Sequence, residues 1–285
     1  MGTLRAFAIL AALTLVTPPL MVLQWVLVKT GAGFARRLPH LYHRGVARLL
    51  GLGIAVVGTP VASGPCLMAA NHSSWLDIVV LSAVAPVSFV SKREVGSWPI
   101  FGTFARLQRT VFIDRTRRSA TGQFRDEMQS RLASGDTLVL FPEGTSSDGN
   151  RVLPFKSALM GAAERTVGAD EHHVPVQPVT VAYTGLQGLP MGRARRPFFT
   201  WYGDMDLAPH LWEALKLGPV DVTVVLHEPV TVDDCGSRKA LAAHCEAAVR
   251  HGLVGALTGG VEADALRSGL DAAPPEVKRK APVNA

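Results

Sequence analysis

The chain has 285 residues, 48% of them hydrophobic and only 18% charged, with a formal net charge of +6. That length is enough for one sizeable α/β domain with a good core, or for two small domains, and a mean hydropathy of +0.22 is high enough that some apolar surface is expected to meet lipid. The basic balance suits anionic bilayers or acidic carriers, whereas nucleic acid ranks last, because aromatic residues are not interleaved with the basic ones and no nucleic-acid motif occurs.

No Lys, Arg, Asp or Glu separates Arg5 from Lys29. As a helix, Ala6–Val28 would span roughly 34 Å, enough to cross a bilayer. Pro18-Pro19 should kink or break it, since each proline removes a backbone donor. Three readings compete: one kinked transmembrane helix, a helical hairpin dipping into one leaflet, and a signal peptide. The last is weakest, because only Arg5 precedes the apolar run and no clean small-residue cleavage site follows. Lys29, Arg36, Arg37, Arg44 and Arg48 come directly after the run. Basic flanks favour the cytoplasmic side and anionic headgroups. Residues 1–50 are therefore read as a membrane-anchoring helical segment and basic linker, with the bulk of the chain in the cytosol at the inner membrane. A buried core helix is the plainer alternative.

From Gly51 onward short apolar runs alternate with helical spacing. Ile54–Val57, Cys66–Ala70, Val87–Ser91, Thr110–Ile113, Thr137–Phe141, Val176–Tyr183, Phe198–Tyr202 and Val220–His227 read as strands. Trp75–Ala85, Pro99–Leu107, Ala120–Ala133, Lys156–Arg165, Leu207–Leu217 and Arg238–Leu257 read as helices. The alternation predicts an α/β domain over residues 51–260, a mixed, mostly parallel sheet flanked by helices. Residues 261–285, with three prolines beyond Asp271 and the run Lys278-Arg279-Lys280, are expected to be a disordered tail. Cys66, Cys235 and Cys245 are odd in number and lack a C-x-x-C, which argues against a disulfide framework or a zinc site.

Four stretches carry candidate chemistry. In Asn71-His72-Ser73-Ser74-Trp75-Leu76-Asp77 a histidine and a carboxylate stand five positions apart at a strand–helix junction. A base beside its orienting carboxylate activates a hydroxyl. Ser74 and Asp77 also have the spacing of a capping box, so Asp77 is equally readable as a helix cap. On this stretch alone the two readings are even, and they are compatible. In Thr110–Arg118 an apolar strand empties into Arg115, Arg117 and Arg118, either a solvated basic face or an anion clamp. Phe141–Asn150 ends a strand in a polar, glycine-containing loop carrying Glu143, either a connecting turn or a ligand cradle. Gly144–Asp148 comes near the nucleophile-elbow pattern and lacks its last glycine, so a serine hydrolase is not favoured. Val174–Ala182 alone is an apolar strand.

Taken in order, Asn71-His72 with Asp77, Phe112-Ile113-Asp114-Arg115, Phe141-Pro142-Glu143-Gly144-Thr145 and the Val176–Pro178 strand resemble the glycerolipid acyltransferase family typified by lysophosphatidate acyltransferase. The likeness covers about Val61 to Tyr183. It implies a membrane-bound enzyme that moves an acyl group from an acyl carrier protein or coenzyme A thioester to a lysolipid hydroxyl, without metal or tightly bound cofactor. It implies His72 as general base and Asp77 as its orienter. It implies Arg115, Glu143, Gly144 and Thr145, with Lys156 further along, as acceptor-binding elements. Where lysophosphatidate acyltransferases usually carry Arg after Glu-Gly-Thr, this chain has Ser146. The run Phe141–Lys156 (FPEGTSSDGNRVLPFK), Trp201–Met205 and Ser237–Lys239 look more like the bacterial lyso-ornithine lipid acyltransferases. Their acceptor is an N-acylated ornithine with a 3-hydroxyacyl chain and a free carboxylate, which needs less positive charge than a phosphate.

Overall fold

The computed structural model describes residues 2–61, 64–113, 120–164, 166–167 and 172–259. The expected tail and Arg115, with the neighbouring arginines, lie outside them. In chain order the elements are α1 (Gly2–Lys29), α2 (Leu38–Leu50), β1 (Leu52–Val57), β2 (Cys66–Ala70), α3 (Leu76–Val84), β3 (Ser88–Lys92), α4 (Phe101–Leu107), β4 (Val111–Ile113), α5 (Ala120–Ala133) and β5 (Thr137–Leu140). They continue with β6 (Thr166–Val167), β7 (His172–His173), β8 (Val176–Leu186), β9 (Leu189–Pro190), α6 (Leu207–Leu217), β10 (Val220–Leu226), α7 (Val232–Cys235) and α8 (Arg238–Thr258).

The main sheet has the order β1-β10-β8-β2-β5-β3-β4, with β9 hairpinned onto β8. Its pairs are parallel except β10 with β8 and β8 with β9. The expected mixed, mostly parallel sheet is thus present. β2 is its central strand and is buried along its whole length. The pleat sends Cys66, Met68 and Ala70 into one core, and Leu67 and Ala69 into the other. A strand covered on both faces reads as a continuous apolar run, which is what Cys66–Ala70 is. The first core is closed by α1, α2, α3 and α6, through residues such as Ile9, Ala47, Val80 and Leu215. The second is closed by α5 and α8, through Met128, Leu132, Leu241 and Val249.

Three segments differ from the sequence expectations. First, α1 continues across Pro18-Pro19 without a break. Both prolines point outward, while Ile9, Thr17 and Gln24 on the other side are buried against the domain on either side of the pair. Docking holds the helix where its own hydrogen-bond ladder is interrupted. Arg5 donates to Leu50 O and Leu215 O, the last turns of α2 and α6, where helix carbonyls favour a cation. Thr17 Oγ1 pairs with Tyr42 Oη at 2.9 Å. Gln24 Nε2 donates to Ala35 O and Leu107 O, both at 2.9 Å. Second, Phe198–Tyr202 is not a strand. Residues 196–198 form a 3-10 turn entered through Pro197, and the rest pairs with no strand. Third, the helix expected over Lys156–Arg165 is a 3-10 segment, Ser157–Glu164, with Met160 to Ala163 all buried. Wedged between α5 and α8, it is packed on more sides than an amphipathic helix would be.

At the sheet end from which β5 starts, the buried carboxylate of Asp136 meets three guanidiniums. Arg36 Nε lies 3.0 Å from Oδ1, Arg109 Nη2 2.8 Å from Oδ2, and Arg131 Nε 2.5 Å from Oδ2. These join the segment after α1 to the loops before β4 and β5. Removing the acid leaves three cations unpaired, and only their partial exposure softens that. Asp136→Ala is expected to lower unfolding free energy by about 2 kcal/mol or more, read by denaturant titration of the detergent-solubilised chain.

Candidate active site

β2 ends at Ala70, and the next residue fixes the path by which the chain leaves the sheet. Asn71 is buried and pairs with the β8 backbone in both directions: Nδ2 donates to Val181 O at 2.9 Å, and Val181 N–H donates to Oδ1 at 2.8 Å. With the backbone clamped there, His72 emerges at the carboxyl end of the central strand, the usual place for a site in such sheets.

His72 Nδ1 lies 2.9 Å from Asp77 Oδ2. The same oxygen accepts the backbone N–H groups of Ser73 at 2.8 Å and Ser74 at 2.9 Å. Asp77 Oδ1 accepts the Tyr183 hydroxyl at 2.7 Å. The carboxylate is fully buried and has four donors. Asp77 therefore ties the Ser73 and Ser74 N–H groups ahead of α3 and lies against the imidazole. Ser74 Oγ also takes part, accepting the Leu76 N–H at 3.3 Å. With a carboxylate on Nδ1, that nitrogen carries the proton, and Nε2 is left with its lone pair. The His72 side chain remains 21% exposed, so the free nitrogen is reachable.

Phe141 holds the ring from one side, stacked at 4.1 Å between centroids and 18° between planes. Ser147 N–H donates to His72 O at 2.9 Å, and Trp201 N–H donates to Ser73 O at 2.7 Å. Trp201 in turn meets Trp98 edge-on at 6.1 Å. Among the described residues no hydroxyl is bonded to the His72 ring. Ser73 Oγ is buried without a partner, and Ser147 Oγ donates to Arg151 O. The serine-hydrolase arrangement is not formed.

The remaining expected residues divide. Gly144 adopts φ +72°, a conformation that favours glycine, and Thr145 is exposed at the loop tip. Lys156 is exposed, with its N–H closing the loop onto Pro142 O at 2.9 Å. Glu143 faces inward, 1% exposed. Its Oε1 accepts Leu153 N–H at 3.2 Å, and Oε2 has no partner among the described residues. Burial pushes its carboxyl up to about 8; backbone donors at Leu153 and His72 oppose the shift, and Asp77 adds to it. The shift favours the protonated acid at neutral pH, which lessens the negative charge facing Asp77. The sequence reading missed Tyr183 and Phe141 as partners of the pair. Phe141 stood inside a quoted motif, and Tyr183 ended a predicted strand, but nothing local signals that either reaches the His–Asp pair.

Fold and geometry together define an α/β protein with one imidazole nitrogen open to solvent and the other on a buried carboxylate, the equipment for accepting a proton from a hydroxyl. The comparisons agree. The family model described as Acyltransferase matches residues 53–182. The chain is 50% identical over 259 residues to the lyso-ornithine lipid O-acyltransferase of Brucella abortus (strain 2308), an alignment covering 90% of this chain and 97% of that one. It is 36% identical over 183 residues to the 1-acyl-sn-glycerol-3-phosphate acyltransferase of Neisseria meningitidis serogroup B, covering 64% of this chain and 67% of that one. The crystal structure of the 1-acyl-sn-glycerophosphate acyltransferase of Thermotoga maritima superposes with a TM-score of 0.60 at 23% identity, over 89% of this chain and 93% of that one, which establishes a shared fold. The chain belongs to the acyltransferase family and is an enzyme of acyl transfer.

Glu143 gives a pH test. The unfolded carboxyl releases its proton near 4.5, while the folded one holds it to about 8. The unfolded state therefore gains over this window, and stability falls as pH rises through it. Glu143→Gln is expected to flatten that fall in denaturation curves taken from pH 5 to 8. A slope equal to the wild type's would show that Glu143 does not cause it.

Proposed function

We propose that this chain is a membrane-bound O-acyltransferase that moves a fatty acyl group from an acyl thioester to the hydroxyl of a lysolipid, with lyso-ornithine lipid as acceptor. The observation that carries the reading is His72, with Nδ1 on Asp77 Oδ2 and Nε2 open. The alignment with the Brucella enzyme over 97% of its length supports the acceptor, as does Ser146 in the place where phosphate-binding relatives usually carry Arg.

The reaction needs no acyl-enzyme. The acceptor hydroxyl gives its proton to His72 Nε2 as its oxygen bonds to the thioester carbonyl carbon. The tetrahedral adduct collapses, the C–S bond breaks, and the imidazolium returns the proton to the departing thiolate. Asp77, already bonded to Nδ1, stabilises the transient imidazolium. Phe141 and Tyr183 act as positioning residues: one keeps the ring plane, the other the carboxylate. Arg115, with Gly144, Thr145 and Lys156, is assigned to the acceptor, and Glu143 holds the loop from beneath. The donor is an acyl carrier protein or coenzyme A thioester drawn from the cytosol, and the net charge of +6 favours an acidic carrier.

α1 supplies the membrane contact. It is long and apolar enough to cross a bilayer, and 17% of its apolar window is buried. Its protein-facing side is docked from Arg5 to Gln24, while Leu4, Leu15, Val22 and Trp25 are exposed on the other side. A helix held along its whole length by the domain lies in one leaflet of the inner membrane, with the domain facing the cytosol. It also contributes Ala6 and Ile9 to the core, which a removable signal peptide would not.

Two outcomes check the reading. His72→Ala should reduce transfer of labelled acyl groups to lyso-ornithine lipid by at least about 10²-fold while membrane association persists; a variant retaining most of its activity would sink the mechanism. Leu15→Glu with Val22→Glu should abolish sedimentation with anionic vesicles while shifting stability by no more than about 1 kcal/mol. Unchanged sedimentation would remove α1 from the membrane contact.

A further inference from the structure

Ser146 leaves a question that rests on lyso-ornithine lipid being the acceptor: where the acceptor's acid group finds its positive partner. Arg196 is 5% exposed. Its Nε donates to Tyr183 O at 3.0 Å, Nη2 to Met191 O at 2.9 Å, and Nη1 to the side-chain oxygen of Asn150. All three acceptors are neutral oxygens, so a buried guanidinium keeps its charge without an ion pair, which is costly unless something else repays it. Burial disfavours that charge, and Asp148 offsets the cost only in part, without a hydrogen bond to it. A cavity of about 350 Å³ opens here, lined by Asn150, Met191, Gly192, Arg193, Arg196 and Leu257. Its lining includes two arginines and no acidic residue. Asn150 joins them, accepting from Arg196 and donating through Nδ2 to Arg193 O at 3.3 Å.

Three links tie this cavity to the His–Asp pair. Tyr183 accepts from Arg196 through its carbonyl and donates to Asp77 through its hydroxyl. Ser147 N–H holds His72 O, and Asn150 follows three residues later. Between them Gly149 adopts φ +73°, and a Cβ there would stand 3.2 Å from Arg196 Cδ and 2.7 Å from Thr200 Cγ2. Thr200 directly precedes Trp201, whose N–H holds Ser73 O. One loop therefore connects the cavity lining to the backbone that carries the base.

We propose that Arg193 and Arg196, with Asn150, form an anion subsite that takes the α-carboxylate of the acceptor while its hydroxyl reaches His72 Nε2. The guanidinium fork matches a carboxylate in shape and charge. In an N-(3-hydroxyacyl)ornithine, six bonds separate the carboxylate carbon from the hydroxyl oxygen, roughly 7 Å when extended. The positive charge missing at Ser146 is supplied from Arg193 and Arg196 instead.

The test compares wild type, Arg193→Gln and Arg196→Lys as full chains in vesicles, each with lyso-ornithine lipid, its carboxyl methyl ester and lysophosphatidate as acceptors. Arg193→Gln should raise KM for lyso-ornithine lipid about tenfold, the loss of one charge-assisted contact, with kcat retained. The ester, which has no carboxylate to lose, should show the wild-type KM. Arg196→Lys keeps the charge without the fork and should show the same selective loss, with thermal melting confirming that it folds. A wild type that acylates lyso-ornithine lipid, with variants that affect acid and ester alike or neither, overturns the subsite alone. A wild type that leaves lyso-ornithine lipid untouched and acylates lysophosphatidate overturns the acceptor reading, and the carboxylate subsite with it.

Discussion

The Asp77 carboxylate is the constraint on which the rest of the structure depends. A fully buried negative charge persists only where donors replace the water it has lost. Asp77 has four: the His72 ring, the backbone of Ser73 and Ser74, and the Tyr183 hydroxyl. Three of those donors come from the loop that leaves β2 and the fourth from the interior of β8, while the carboxylate itself stands in the first turn of α3. The charge therefore does more than orient an imidazole; it requires that three elements meet at one point. Asn71, paired to Val181 in both directions, reinforces the same junction one residue earlier. Glu143 belongs to the same logic. With a single backbone donor on one oxygen, the buried Glu143 carboxyl is pushed toward its protonated form.

The membrane helix and the catalytic end of the sheet are joined through the topology. β1 and β10 run against β2, so the start of β1 lies at the same end of the sheet as the end of β2. Arg5 binds Leu50 O, two residues before β1, and so sits at the His72 end. Gln24 binds Leu107 O, ahead of β4, and so sits at the opposite end. α1 thus runs the depth of the sheet with its outer face apolar. The exposed apolar side of α1 therefore flanks the sheet from its His72 end to the opposite end.

Much of the fold is legible in the sequence because its elements state their own periods. Cys66–Ala70 reads with its observed ends, and Ala120–Ala133 and Leu207–Leu217 likewise, since a strand buried on both faces and helices of regular spacing need little context. The segments that misread are decided at a distance. Phe198–Tyr202 looks like a strand, yet its backbone is taken by Ser73 O and by the turn that Pro197 opens. Pro18-Pro19 should break a helix in water, and here the domain packed on one side holds it straight through. The His–Asp pair is readable as a spacing; its meaning comes from Tyr183 and Phe141, which lie 106 residues from Asp77 and 69 from His72 in the chain. No local pattern encodes such a contact.

The loop from Phe141 to Lys156 carries both halves of the chemistry. Phe141 sets the plane of the His72 ring, Ser147 fixes its carbonyl, Glu143 anchors the loop from below, and Asn150 reaches Arg196. The proposed subsite would therefore not be a module independent of the base. Gly149 lies between them: its left-handed backbone and its contact with Thr200 exclude a side chain, which fixes the path of the loop from Ser147 to Asn150. A base whose lone pair is aimed by one buried charge, and an acid group held by two arginines, would select a substrate by the separation of its hydroxyl from its carboxylate as much as by either group alone.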